Sequence, residues 1–246
     1  MKLFFVFIIL FSSLTLAAQE KPVALKYAQQ LLHTAQAAEP DAEMQTALAG
    51  YDAAALQKEL NTDELRKAFW INIYNAAVII GQLNNPQWFK DSSLFFKKKL
   101  VTIAGTTLSA LQIQNGLLRF AAPGNKKHGK FEKKFGIQKF DNRIHFALNN
   151  GTADAPAIQV YDDADIDAAL NEATTNYIKA AVKMNEGGYE VNVPEWMRIF
   201  LPDFGETDGL ITLFRKKEVV FMNLMPRIVW KPQTWQPITT AAKNTL

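Results

Sequence analysis

Residues Asn61–Leu83, "NTDELRKAFWINIYNAAVIIGQL", decide how the chain folds. Thr62 stands where a helix N-cap is wanted, and Asp63 and Glu64 follow at the end where the helix dipole favours negative charge. Leu65, Phe69, Ile73, Ala76, Ala77 and Ile80 fall on one stripe, and Trp70, Tyr74 and Val78 widen it until the helix is apolar on most sides. The pattern predicts a central, buried helix. Asn72 and Asn75 then lie inside it, and a buried amide must find partners or cost about 1–3 kcal/mol. They either tie a neighbouring loop to the helix or contact a ligand.

Towards the N-terminus, "PVALKYAQQLLHTAQAA" and "AEMQTALAGYDAAALQKEL" carry helical spacing broken at Glu39-Pro40 and at Gly50, which predicts two or three short helices. Before them, "MKLFFVFIILFSSLTLAAQE" has one lysine, an apolar run from Leu3 to Phe11, and small residues at Ala17 and Ala18. This is the layout of a secretory signal peptide, with a core shorter than the roughly 20 residues a membrane span needs. Residues 1–18 are therefore expected to be a signal peptide, which makes the chain an exported one, periplasmic or extracellular, with no membrane span after its removal.

Towards the C-terminus, "LVTIAG" (Leu100–Gly105) reads as a strand and "TLSALQIQNGLLRF" as a helix beginning near Thr107. Pro-Gly, His-Gly and lysine content predict a long surface loop from Phe120 to Lys139. "RIHFAL" reads as a strand ended by a turn at Asn149-Asn150-Gly151, and "DDADIDAALNEATTNYIKAAVKM" as a long amphipathic helix with Lys183 near its end. "GGYEVNVPEW" is a turn and strand, and "WMRIFLPDFG" a helical segment closed by Pro202 and Gly205. "TDGLITLFRKK" is a helix with Thr207 as a possible cap, and "EVVFMNLMPRIVW" a strand interrupted at Pro226. Helices surround strands that do not alternate with them, so the expected class is α+β: a small sheet surrounded by helices, with a helical N-terminal segment over 19–60 and one domain over 61–240.

The chain is 48% hydrophobic and 21% charged, which leaves ample apolar surface for such a core. A net charge of +3 argues against nucleic acid as a partner. Lysines cluster at Lys97–Lys99 and between Lys126 and Lys134, where a solvated loop, or contact with an anionic envelope component, explains them better. Cysteine is absent, which excludes disulfides, thiolate metal sites and a cysteine nucleophile.

No phosphate-binding Gly-rich loop, His-Glu-x-x-His, calcium loop or G-x-S-x-G elbow occurs. His33, His128 and His145 lie far apart on different expected elements, so neither a metal site nor a cofactor is expected. Ser92, Ser93 and Ser109, the serines after residue 18, stand in no nucleophile context. His145, between Ile144 and Phe146 and five residues before a polar turn, is the side chain of most chemical interest. It is either a partly buried histidine bonded to backbone or a functional one.

"AFWINIYNAAVI", "LSALQIQNGLLR", "DNRIHFALNNGTADAPAIQVY" and "FLPDFGETDGLITLF", in this order and from about Asp63 to Trp235, resemble the family of domain of unknown function 547. Phe69, Trp70, Asn72, Tyr74 and Asn75 match its first block, Ile113, Leu118 and Arg119 its second, and His145, Phe146, Ala147, Leu148, Gly151 and Pro156 its third. The chain departs from the family pattern where chemistry would be expected. Gln114 stands for a glutamate, Asn115 for a histidine, Asn150 and Ala155 for cysteines, and Asp154 for a serine. Amides bond but do not titrate.

The resemblance thus implies an uncharacterised exported protein, non-catalytic or weakly active, that binds a ligand or envelope partner in a cleft formed by Asn72, Asn75, Gln114, Asn115, His145, Asn150 and Asp154. The alternative is a papain- or transglutaminase-like hydrolase or transferase with His145 as general base and Asp154 as its orienting acid. A third reading is an envelope scaffold that uses the lysine loop or the N-terminal helices as its contact surface.

Overall fold

A computed structural model describes residues 20–235 and 237. The expected signal peptide lies outside the described residues. Among those described, no helix is long and apolar enough to cross a membrane.

Three N-terminal helices, α1 (Val23–Gln36), α2 (Ala42–Ala49) and α3 (Ala53–Glu59), lead into α4 (Asp63–Asn84). Asp41 and Asp52 cap α2 and α3, each accepting two main-chain N–H groups, and the Thr62 hydroxyl accepts the Leu65 N–H at 3.2 Å to start α4. Residues Lys67 to Gln82 of α4 are buried without interruption, so its apolar character on most sides reflects a helix surrounded by protein. The apolar face of α1 (Leu25, Leu31 and Leu32 among others) enters the same core as α4, which makes the N-terminal helices part of the domain's interior.

After a short helix α5 (Ser92–Phe95), β1 (Lys99–Ile103) and β2 (Thr106–Ser109) form an antiparallel hairpin. Thr107 therefore pairs with Thr102 in a strand and does not start a helix. The helical turn begins at α6 (Ala110–Gln112), where the Ser109 and Gln112 side chains form a reciprocal capping box, and it continues as a π-helical turn over Ile113–Leu118. The expected loop over 120–139 contains a helix, α7 (Lys130–Phe135), which buries Phe135.

"RIHFAL" is not a strand. Asn142–Phe146 form a 3-10 helix, started by the Asp141 side chain, which accepts the Arg143 N–H. Ile144, His145 and Phe146 are buried in succession, which a strand with one solvated face does not allow. The turn joins two apolar clusters: Ile144 and Ala147 pack with α4, whereas Phe146 packs with the C-terminal half. His145 is thereby held at their seam.

The C-terminal half comprises α8 (Ile166–Ala181), β3 (Lys183–Met184), β4 (Glu190–Pro194), α9 (Trp196–Ile199), a 3-10 turn at Leu201–Phe204, α10 (Glu206–Lys216) and β5 (Arg227–Lys231). Lys183 belongs to β3 and not to the end of α8. The strand expected over 218–230 is formed only after Pro226, and Thr207 lies inside α10, whose N-cap is Gly205. The sheet order is β3-β4-β5, with β3 and β4 antiparallel and β4 and β5 parallel. The class is α+β with small sheets among helices, as the sequence led one to expect.

Candidate functional site

The π-helical turn, the 142–146 turn and the 201–204 turn deliver three side chains to one point. Asp203 receives the Arg119 guanidinium on both oxygens, Nε to Oδ2 at 2.5 Å and Nη2 to Oδ1 at 2.9 Å, and His145 Nε2 lies 2.8 Å from the same Oδ2. Arg119 Nη1 donates to Asn115 Oδ1 at 2.7 Å. Extra length in the π-helical turn allows this: the Arg119 N–H bonds the Gln114 carbonyl five residues back, which sets Arg119 beneath Asp203. Phe200 closes the array, with its ring stacked on His145 at 4.3 Å between centroids and the Arg119 guanidinium 4.9 Å from its centroid.

The close approach that places Asp203 depends on Gly209. A Cβ there would lie 1.9 Å from the Phe204 carbonyl oxygen, so only glycine lets the first turns of α10 fold back over the 201–204 turn.

Burial sets the charge states. It holds the His145 imidazolium below the ordinary value of 6.5, outweighing the attraction of Asp203, and the nearby Arg119 charge acts in the same direction. For Asp203, burial alone would raise the carboxyl, but hydrogen bonds from His145 and Arg119 together with the Arg119 charge hold it below its usual value of 3.8. At neutral pH the site is a carboxylate between a guanidinium and a neutral imidazole. A neutral imidazole facing a carboxylate donates through Nε2–H, which leaves Nδ1 as a bare acceptor. Nδ1 is buried and has no partner among the described residues.

His145 lines a cavity of about 270 Å³ with apolar walls that include Tyr74, Phe96, Leu148, Trp196, Phe200 and Trp235. Its further polar lining is Ser93, Gln114, Asn150 and Gln233. Trp196, Ile199, Gln233 and Trp235 also border an open outer groove that continues past Glu195 and Arg198. On the opposite side, Asp203 borders a charged cleft with Lys67, Asp141 and Arg143, so the His145–Asp203 pair separates an apolar chamber from a charged one.

The structure brings Gln114, His145 and Asn150 to this cavity and leaves the other candidates elsewhere. Asn72 and Asn75 are fully buried, and each bridges main chain: Asn72 bonds the carbonyl and N–H of Tyr161 at 2.8 and 2.9 Å, and Asn75 bonds the Ala147 carbonyl and the Asn149 N–H at 2.9 Å each. Both tie loops to α4, and neither lines the cavity. Asn115 supports Arg119 from behind. Asp154 is exposed, accepts the Thr234 N–H, and borders a different, alanine-lined groove. The acid that faces His145 is therefore Asp203, not Asp154.

Sequence reasoning did not single out Asp203 or the role of Arg119. The available signal was an aspartate inside the apolar run "FLPDF", because an acid in such a run is rarely buried without a cationic partner.

The 147–156 loop is fixed by a dense set of bonds. Gln82 Nε2 donates to the Gly151 carbonyl at 2.7 Å, and Asn149 bonds both the Gly151 N–H and the Pro156 carbonyl. Gly151 has φ +87°, and a Cβ there would lie 2.3 Å from Gln82 Nε2. Asn150 donates to Gln233 Oε1 at 2.8 Å and accepts from Thr152, so its amide is occupied within the protein. Among the described residues, no group of three or more histidine, aspartate or glutamate side chains is arranged to hold a metal ion.

Fold and site together define a small α+β domain with a His–Asp–Arg array behind an apolar cavity. Residues 57–178 match the model of a family described as "Protein of unknown function, DUF547", and the chain belongs to that family. The matched span includes Arg119 and His145 but ends before Asp203. No curated protein and no solved structure matches the chain.

Proposed function

We propose that this is an exported binding protein that holds a small ligand in the His145 cavity without turning it over. The observation that carries this reading is the chemistry of the lining: aromatic walls, amides, and one buried imidazole with an unpartnered nitrogen, in a chain with no cysteine. The remaining hydroxyls in the lining are poor nucleophiles. Burial raises the Tyr74 phenol well above its ordinary value of 10.0, and the Ser93 hydroxyl donates to Asp91 Oδ1 at 2.8 Å, not to His145. Export rests on the lysine, apolar run and small residues that open the sequence.

A second reading draws support from the same imidazole. His145, oriented by a carboxylate at one nitrogen and free at the other, has the arrangement of a general base, and water could serve as the nucleophile of a hydrolase.

Leu111 also lines the cavity and is partly exposed, so Leu111→Trp fills the space at little cost to the core. Ligand-observed NMR with a library of neutral aromatic fragments should give binders to the wild type that Leu111→Trp loses. An absence of binders, or binders indifferent to the substitution, would overturn the binding reading. Turnover of neutral aryl esters that His145→Ala abolishes would replace it with the hydrolytic one.

A further inference from the structure

We propose that the ligand presents to this cavity an uncharged ring bearing an O–H or N–H donor, which His145 Nδ1 accepts. The inference rests on the binding reading and specifies the chemistry of the ligand.

The lack of charge follows from the walls. Among the described residues, no side chain lining the cavity carries a formal charge once His145 is neutral. Asp203 and Arg119, behind the imidazole, are paired with one another through both carboxylate oxygens, and Asp91, behind Ser93, accepts the Ser93 hydroxyl. An ammonium or carboxylate entering here would lose hydration and meet no counter-charge in the lining itself.

The donor follows from the free valences. Asn150 and Gln233 are bonded to one another and to Thr152. His145 Nε2 is directed to Asp203, and Nδ1 is left buried and unbonded. An acceptor in that condition is costly to leave unmet, by about 1–3 kcal/mol, so a ligand that meets it gains over one of equal shape that does not. Gln114 and Tyr74, which have no side-chain hydrogen bond among the described residues, can serve further polar atoms on the same ring.

Size and shape select the ring. The chamber's 270 Å³ lies just below the range of about 300–1,000 Å³ typical of drug-sized ligands, and Phe96, Trp196, Phe200 and Trp235 give it flat walls. A phenol- or indole-sized group fits such a space. The outer groove towards Arg198 leaves room for the rest of a longer molecule.

The test uses matched probes on the purified full chain: p-cresol, its methyl ether 4-methylanisole, 4-methylbenzoate and 4-methylbenzylammonium, with dissociation constants from ligand-observed NMR. The cresol should bind about tenfold tighter than the ether, and both more tightly than either ion. His145→Phe, which keeps a ring but removes the acceptor, should bring the cresol down to the affinity of the ether. The wild-type comparison of cresol with ether decides the matter even if that variant does not fold. Equal binding of cresol and ether, both displaced by Leu111→Trp, would overturn the donor inference and leave the binding reading standing. Preferred binding of either ion would overturn the neutral-ring inference. Binding of none of the four would overturn both.

Discussion

The imidazole of His145 and the carboxylate of Asp203, 58 residues apart in sequence, meet at 2.8 Å with both side chains withdrawn from solvent. Arg119 completes the array and is itself only 17% exposed, so removing the carboxylate charge strands a mostly buried guanidinium. Asp203→Asn should lower the unfolding free energy by about 3–5 kcal/mol in urea denaturation, as expected for breaking a buried pair from one side. Asp154→Asn, on an exposed loop, should stay within about 0.5 kcal/mol of wild type. Similar values for the two would show that Asp203 does not hold the array together.

Acid should destabilise the protein through the same pair. His145 has a folded-state value below its unfolded 6.5, so below that pH the unfolded chain takes up a proton that the folded chain refuses. Stability then falls as pH drops from about 6.5 towards the folded-state value, by at most about 1.4 kcal/mol per pH unit. Asp203 is also lowered in the fold, so its contribution is present above its unfolded 3.8 and is lost as pH falls further through the folded-state value. Denaturant midpoints measured between about pH 7 and pH 5 should decline in wild type and flatten in His145→Gln. An unchanged slope in the variant would assign the effect to other groups.

Asn72 and Asn75 should behave as structural residues. Asn75→Ala leaves the Asn149 N–H and the Ala147 carbonyl unpaired, and Asn72→Ala leaves the Tyr161 N–H unpaired while Gln29 still bonds the Tyr161 carbonyl, at about 1–3 kcal/mol per orphaned group. Calorimetric melting should show a large loss for both variants. At temperatures where they remain folded, fragment affinity should be retained for Asn72→Ala, because Tyr161 does not line the cavity.

Gly209→Ala tests the placement of Asp203 from a distance. The added methyl collides with the Phe204 carbonyl, so the 201–204 turn must move or α10 must lose its first turn. Stability should fall by about 1–3 kcal/mol, and the imidazole NMR signals of His145 should shift although no group that bonds it was changed. Signals identical to wild type would show that the turn accommodates the methyl elsewhere.

The helical frame was legible because its signals are local. A threonine cap, two acids and a wide apolar stripe specify α4 without reference to the rest of the chain, and helical spacing broken at Glu39-Pro40 and at Gly50 does the same for the N-terminal helices. The 142–146 turn was not legible, because three successive buried residues arise from contact with two separate apolar clusters, and in sequence such a run looks like a strand. Thr107 was misplaced because a threonine before a leucine-rich run suits a cap as well as a hairpin strand. Of the site, His145 was found from its place in an apolar run before a polar turn, and Gln114 and Asn150 through the family pattern. Asp203 was not, because its partners lie 58 and 84 residues away and only the fold brings them to it.

The most direct measurement of the central claim is the protonation state of the two His145 ring nitrogens, read from long-range proton–nitrogen correlation NMR at neutral pH and assigned with His145→Gln. The account predicts a neutral ring with the proton on Nε2, bonded to Asp203, and an unprotonated Nδ1. A ring protonated on both nitrogens, or one carrying its proton on Nδ1, would contradict it.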